Sequence, residues 1–172
     1  MITAYSAEQI RAHQPALIGL LRDVVDGGAS VNFIAPLETQ IAATFWERVA
    51  NEVERGERVV LIAVQAGEIA GCAHLVLAMQ PNGRHRAEVQ KMLVHSRFRR
   101  RGLGRALLTA AEDEARRLGR TLLVLDTERD SSGEKLYTAC GWTRVGSIPS
   151  FAMNYNGTQL IDTVFFYRLL QE

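Results

Sequence analysis

The sequence predicts a mixed α/β fold in one domain, residues 1–172, and three observations predict it. Three extended segments separated by turn signals occupy residues 59–94. An amphipathic helix follows them, and a β-branched, leucine-rich run follows the helix. A strand, helix and strand in that order lay their two strands parallel through a right-handed crossover. The chain has 172 residues, enough to bury roughly 70% of its unfolded surface without staples.

Each element has its own local cause. A short apolar opening, Ile2 to Tyr5, precedes Ser6, which with Gln9 three residues on makes a helix-starting box. The first helix is predicted to run from there to about Asp26, where Gly27-Gly28 stops it. A second covers Leu37 to Arg55, ended by Gly56, with Ile41, Thr44, Phe45, Val49 and Val53 along one face. The extended segments are Val59–Val64, Ile69–Ala78 and Ala87–Val94. Gln65–Glu68 and Gln80–Gly83 turn the chain between them, which predicts an antiparallel meander. Leu103 to Leu118 carries an apolar stripe closed by Gly119. Thr121–Leu125 is a buried strand and Ser132–Cys140 a short helix. Trp142–Ser147 and Thr163–Leu169 close the sheet.

Composition excludes several classes. Hydrophobic residues make 47% and charged residues 23% of the chain, the balance of a globular protein rather than a disordered one. Twenty basic against nineteen acidic residues leave a net charge of +1. That argues against coating nucleic acid or an anionic membrane by bulk charge. No apolar stretch is long enough to span a bilayer, and the N-terminus lacks the pattern of a signal peptide, so a cytoplasmic location is expected. Cys72 and Cys140 form neither a metal spacing nor a disulfide framework and read as small packing residues. His74, His85 and His95 show no ligand spacing, so no metal is expected. Arginine makes up 18 of the 20 basic residues, a bias that carries no functional weight here.

Arg97 to Arg105 reads RFRRRGLGR, five arginines with no acid. It lies between a strand and the first turn of a helix, where unpaired N–H groups and the helix dipole favour an anion. Gly102 and Gly104 permit close backbone approach, and arginine forks add charge-assisted contacts to phosphate oxygens. A pyrophosphate cradle is the functional reading; a solvated basic face or a nucleic-acid patch competes with it. The spacing is neither that of a P-loop nor that of a dinucleotide fingerprint.

Arg99-Arg100-Arg101-Gly102-Leu103-Gly104 resembles the [QR]xxGx[GA] signature of the GCN-five-related N-acetyltransferase (GNAT) superfamily, and AEVQKMLVHSRFRRRGLGRALL around it resembles that superfamily's acetyl-CoA strand and helix. The phrases GGASVNF, PNG, AEVQKMLV, LDTE and TRVGSIP resemble more closely its tabtoxin-resistance branch. The resemblance implies a mixed twisted sheet of six to seven strands with about four helices, and acetyl-CoA as co-substrate. It also implies a small amine-bearing acceptor, such as the toxin tabtoxinine-β-lactam or an antibiotic. Backbone groups of Met92, Leu93 and Val94 would take the pantetheine arm, and Arg99, Arg100, Arg101, Gly102, Leu103, Gly104 and Arg105 the pyrophosphate.

Acetyl transfer to an amine needs a base for the ammonium and an acid for the departing thiolate. Glu88 on the fourth strand and Asp126 at the end of the fifth are the paired carboxylates, and the resemblance implies the same pair. The competing readings are a Glu88 pair with Arg84 or Arg86, and an Asp126 that caps a turn. Tyr137, in LYTACGW, resembles the superfamily's proton-donating tyrosine; a core aromatic is its alternative. Asn32 and Phe33, in the loop between the first two helices, are expected to touch the acceptor. Asp130 stands where many relatives carry a coenzyme-contacting asparagine and is not assigned to binding. The leading expectation is an acetyltransferase, monomeric or homodimeric. A non-catalytic acyl-CoA-binding regulatory module is the alternative, and a nucleic-acid-binding domain the third.

Overall fold

A computed structural model describes residues 1–170. The described residues form one seven-stranded sheet and five α-helices. β1 (Ile2–Tyr5) leads into α1 (Ala7–Ala12), where Ser6 and Gln9 exchange side-chain and backbone bonds. The one long helix expected from Ser6 to Asp26 is in fact two, α1 and α2 (Gln14–Asp26). Pro15 is the cause: it has no N–H to donate and its ring crowds the preceding turn, so it fits only at a helix start. Gly27 caps α2, and Gly56 takes a left-handed φ after α3 (Thr39–Glu54).

β2 (Arg58–Gln65), β3 (Glu68–Leu77) and β4 (Arg86–Val94) pair antiparallel in the expected meander. α4 (Leu103–Arg117) returns the chain to β5 (Leu122–Glu128), which lies parallel to β4. α5 (Ser132–Ala139) follows, then β6 (Thr143–Met153) and β7 (Leu160–Leu169). The sheet order is β1-β2-β3-β4-β5-β7-β6. β6 runs six residues past the expected Ser147, through Pro149. A proline is tolerated there because β6 is an edge strand and the register slips between Ile148 and Ala152.

Two cores flank the sheet. Leu107, Leu108, Leu123 and Phe166 pack beneath α4, and Leu17, Leu21, Trp46 and Ile62 pack under α1 to α3. Cys72 is buried, whereas Cys140 is only half-buried rather than the interior residue expected. Among the described residues no helix is long and apolar enough to cross a membrane.

Candidate active site

The only parallel pair in the sheet is also the one that fails. β4 and β5 are paired over Arg86↔Leu122, Ala87↔Leu123 and Glu88↔Val124 and nowhere beyond. Val89 to Val94 on one strand and Leu125 to Glu128 on the other then diverge, leaving backbone groups along β4 unpaired on that side. A buried strand edge of this kind accommodates something that supplies hydrogen bonds in place of a neighbouring strand.

Two cavities open at this divergence. The first, of about 590 Å³, has Glu88, Lys91 and Asp126 in its wall. The second, of about 520 Å³, is lined by Met92, Val94 and the arginine and glycine turn. Gly28, Ala29, Met92, Ser132, Gly133 and Tyr137 belong to both, so the cavities adjoin along a seam that includes the tyrosine.

The second cavity has the features of an anion cradle. Gly102 caps α4 in the left-handed conformation (φ +77°) with open space where a Cβ would stand, and no side chain caps the helix. The first-turn amides of α4 are therefore available to an anion. Gly104 has another job: a Cβ there would stand 3.2 Å from Leu136, so this glycine lets α4 approach α5. Arg99, Arg100 and Arg105 join Gly102, Leu103 and Gly104 in the wall. Arg101 does not; its guanidinium lies 5.9 Å from the Phe98 ring centroid. Leu93 is fully buried in the other core and lines neither cavity, and the Val94 carbonyl accepts a hydrogen bond from Arg99 Nε at 3.1 Å. Asp23 anchors the approach to the turn by accepting from Ser96 N and Oγ at 2.7 and 2.6 Å. Partial burial would raise this carboxyl, but the Ser96 bonds outweigh it and hold it below the usual range.

In the first cavity Glu88 and Asp126 share a wall. Glu88 pairs with neither Arg84 nor Arg86; it accepts from Gln90 Nε2 at 2.9 Å. Gln90 Oε1 in turn lies 3.5 Å from Arg58 Nη1, which is 3.0 Å from His74 Nδ1. His74 is fully buried, stacked on Phe45 with ring centroids 6.1 Å apart. Burial first, then Arg58 and Lys91, keep it neutral at physiological pH. Asp126 faces the cavity. Crowding by the walls raises its affinity for a proton, the Glu88 charge raises it further, and Lys91 opposes both. Tyr137 is 6% exposed, set between Trp142 and Phe166. Burial pushes its hydroxyl well above the ordinary tyrosine range, with Asp126 and Cys140 adding to the effect.

Asn32 lines the first cavity with a left-handed φ of +68°. Phe33 stands behind that wall, edge-on to Phe45. The loop carrying both is tied to the connection between β6 and β7, since Ala35 N–H donates to the Tyr155 carbonyl at 2.6 Å. Asp130 is exposed and lies near Arg129, with its own N–H bonded to Glu134.

Sequence reasoning missed Lys91 and the Arg58–Gln90 support of Glu88. The signal for Lys91 was in the composition: it is one of two lysines in a chain whose other 18 cationic side chains are arginine.

Comparison with known proteins agrees with this fold. Residues 30–142 match the Acetyltransferase (GNAT) family. An uncharacterized N-acetyltransferase from the hisH-hisA intergenic region of Azospirillum brasilense is 33% identical over 106 residues, 60% of this chain and 61% of that protein. The chain thus spans about three-fifths of the length of that relative. Among solved structures, yncA of Salmonella typhimurium, crystallised with its cofactor acetyl-CoA, superposes with a TM-score of 0.77 at 22% identity, covering 100% of this chain and 94% of that one. An N-acetyltransferase of Staphylococcus aureus gives 0.80 at 17% identity, covering 99% and 98%. The chain belongs to the GNAT acetyltransferase family, and its fold is that of the family's solved members.

Proposed function

We propose that this protein transfers the acetyl group of acetyl-CoA to the amine of a small molecule by direct attack, without an acyl-enzyme. The observation that carries the reading is the meeting of two cavities along a seam that includes Tyr137, one floored by a phosphate-type cradle and the other by paired carboxylates.

The residues present fit acetyl-CoA: open first-turn amides on α4, arginines beside them, and an unpaired β4 edge leading to Tyr137. When bound, the coenzyme supplies an activated thioester carbonyl. Asp126, with Glu88 beside it, takes the proton of the incoming ammonium; its raised proton affinity makes it a stronger base than an ordinary aspartate. The Tyr137 hydroxyl, held protonated by burial, gives its proton to the departing sulfur. Gln90 and Arg58 hold Glu88 in place through hydrogen bonds. Neither cysteine lines either cavity, and burial pushes the Cys72 thiol up to about 12, so neither is placed to carry an acyl group.

The phrases GGASVNF, AEVQKMLV and LDTE support a finer reading, a toxin- or antibiotic-acetylating enzyme with tabtoxinine-β-lactam as one acceptor. The experiment is acetyl transfer from acetyl-CoA across a panel of amines, read by product mass. The panel holds amino acids, that β-lactam amine, aminoglycosides, polyamines and lysine peptides. One or a few acetylated small amines are expected. Acetylation of peptides alone would replace the small-molecule reading, and failure of acetyl-CoA to bind would end the acetyltransferase one.

A further inference from the structure

Strict alternation along β4 sends Glu88 and Gln90 to the face covered by α1 to α3 and would send residue 91 to the other face. It does not. Between Cys72↔Leu93 and His74↔Gln90, β4 spends one residue more than β3, and Lys91 takes a left-handed φ of +48°. This is a β-bulge, a device that re-aims a side chain. It brings the Lys91 ammonium to the same face as Glu88, 5.7 Å from the centroid of Phe33 and 5.9 Å from that of Phe45.

There the ammonium is anomalous. Lys91 lines the cavity that holds Glu88 and Asp126; its carbonyl accepts from Cys72 Sγ at 3.5 Å, yet its ammonium makes no ion pair or hydrogen bond with any described residue. Its direct neighbours are ring faces, which attract a cation but satisfy none of its three donors. Burial, with Arg58 adding repulsion, lowers its proton affinity to about 8, against the pull of Asp126. A strained backbone position that places an unpaired charge in a cavity points to a ligand group that completes it.

We propose that Lys91 binds a carboxylate of the acceptor, so that the substrate is a zwitterionic, amino-acid-like amine rather than a plain amine. The assignment rests on the acetyl-transfer reading and adds the substrate class to it. The cavity carries Glu88, Asp126 and Glu128 in its wall, an arrangement that attracts an ammonium and repels a dianion. Arg129 also lines this cavity, but Asp130 and Asp162 already pair it; Lys91, the cation left over, matches a single negative charge, which favours a carboxylate over a phosphate. The amine meets the carboxylate pair while the acidic group meets Lys91, so both ends of the molecule are fixed before attack.

The test compares each standard amino acid with its own carboxamide as acceptor, in the wild type, Lys91→Met and Lys91→Arg. The wild type should favour the acids by at least about tenfold in kcat/KM, the scale of one hydrogen bond to a charged group. Lys91→Met should bring that ratio near unity, and Lys91→Arg should restore part of it. Equal use of acids and amides by the wild type, or an undiminished preference in Lys91→Met, overturns the proposal. A second measurement is independent of turnover: saturation-transfer NMR of the protein alone with a mixture of N-acetyl amino acids and a matched mixture of their amides. Signals from the acids that exceed those of the amides and vanish in Lys91→Met support the assignment, and equal signals from both mixtures refute it. Calorimetric titration of acetyl-CoA reports separately on the acetyl-transfer reading, so the two can fail independently.

Discussion

Tyr137 and Asp126 are asked to hold opposite protonation states a short distance apart, and their surroundings differ accordingly. The tyrosine lies almost wholly within the core, where an anion is disfavoured, while the aspartate faces the cavity beside Glu88 and Lys91. Tyr137→Phe should lower kcat by about a hundredfold or more, the usual scale of a general acid, with acetyl-CoA affinity retained. For Asp126 the sign follows from its raised proton affinity: kcat/KM should fall on acidification at a pH above that of an ordinary aspartate, because the protonated form cannot accept the substrate proton. Asp126→Asn should abolish that acidic limb along with most of the rate, as pH-rate profiles of the two proteins would reveal. Strand placement and the family resemblance pointed to Glu88, Asp126, Tyr137 and the arginine and glycine turn from Arg99 to Arg105, and these residues line the two adjoining cavities, save Arg101. Composition marked Lys91 as a rare lysine but not its place, since alternation assigns it to the wrong face and only the register against β3 exposes the bulge. The Arg58–His74–Gln90 support was hidden for a related reason: its members come from three strands and meet only once those strands are paired.

At the scale of the element, the β4–α4 turn depends on two different supports. Gly102 provides the left-handed cap, and Gly102→Ala should cost roughly 1 kcal/mol of stability and weaken acetyl-CoA binding measured by calorimetry. Asp23 fastens the turn to α2 through Ser96. Its carboxyl is held below its ordinary range when folded, so its contribution is present above the unfolded-state value and is lost as pH falls through the folded one. Asp23→Asn should therefore lower the melting temperature at neutral pH, with the difference from wild type shrinking as the solution becomes strongly acidic. The Ser6 start of α1 and the glycine stops after α2, α3 and α4 were readable from capping chemistry alone. The division of the first helix was written in Pro15, but the Ser6 cap and the Gly27 stop were read as the two ends of one helix. The length of β6 was concealed by Pro149, which an interior strand would not admit and an edge strand does.

Across the whole molecule, the sheet is held from both faces, and the site lies where its two halves part company. Phe166 stands at 1% exposure in the core under α4, next to Tyr137. Phe166→Ala should destabilise the fold by about 3–5 kcal/mol, a loss of roughly 10 °C in melting temperature for a chain of this size. The order of elements and the parallel pair flanking α4 were foreseeable from hydrophobic periodicity. The parting of β4 from β5 was implied by the family resemblance alone; its place, after three paired residues, was not readable, because it reflects a missing partner rather than any residue's preference. The central claim is that this opening brings an amine and an acetyl donor together at Tyr137, between Asp126 and the cradle. Its most direct test is the single-turnover rate of acetyl transfer, measured beside the acetyl-CoA dissociation constant, in wild type, Asp126→Asn and Tyr137→Phe. Rates lowered by about a hundredfold or more with near-unchanged coenzyme affinity are expected; wild-type rates in both variants would contradict it.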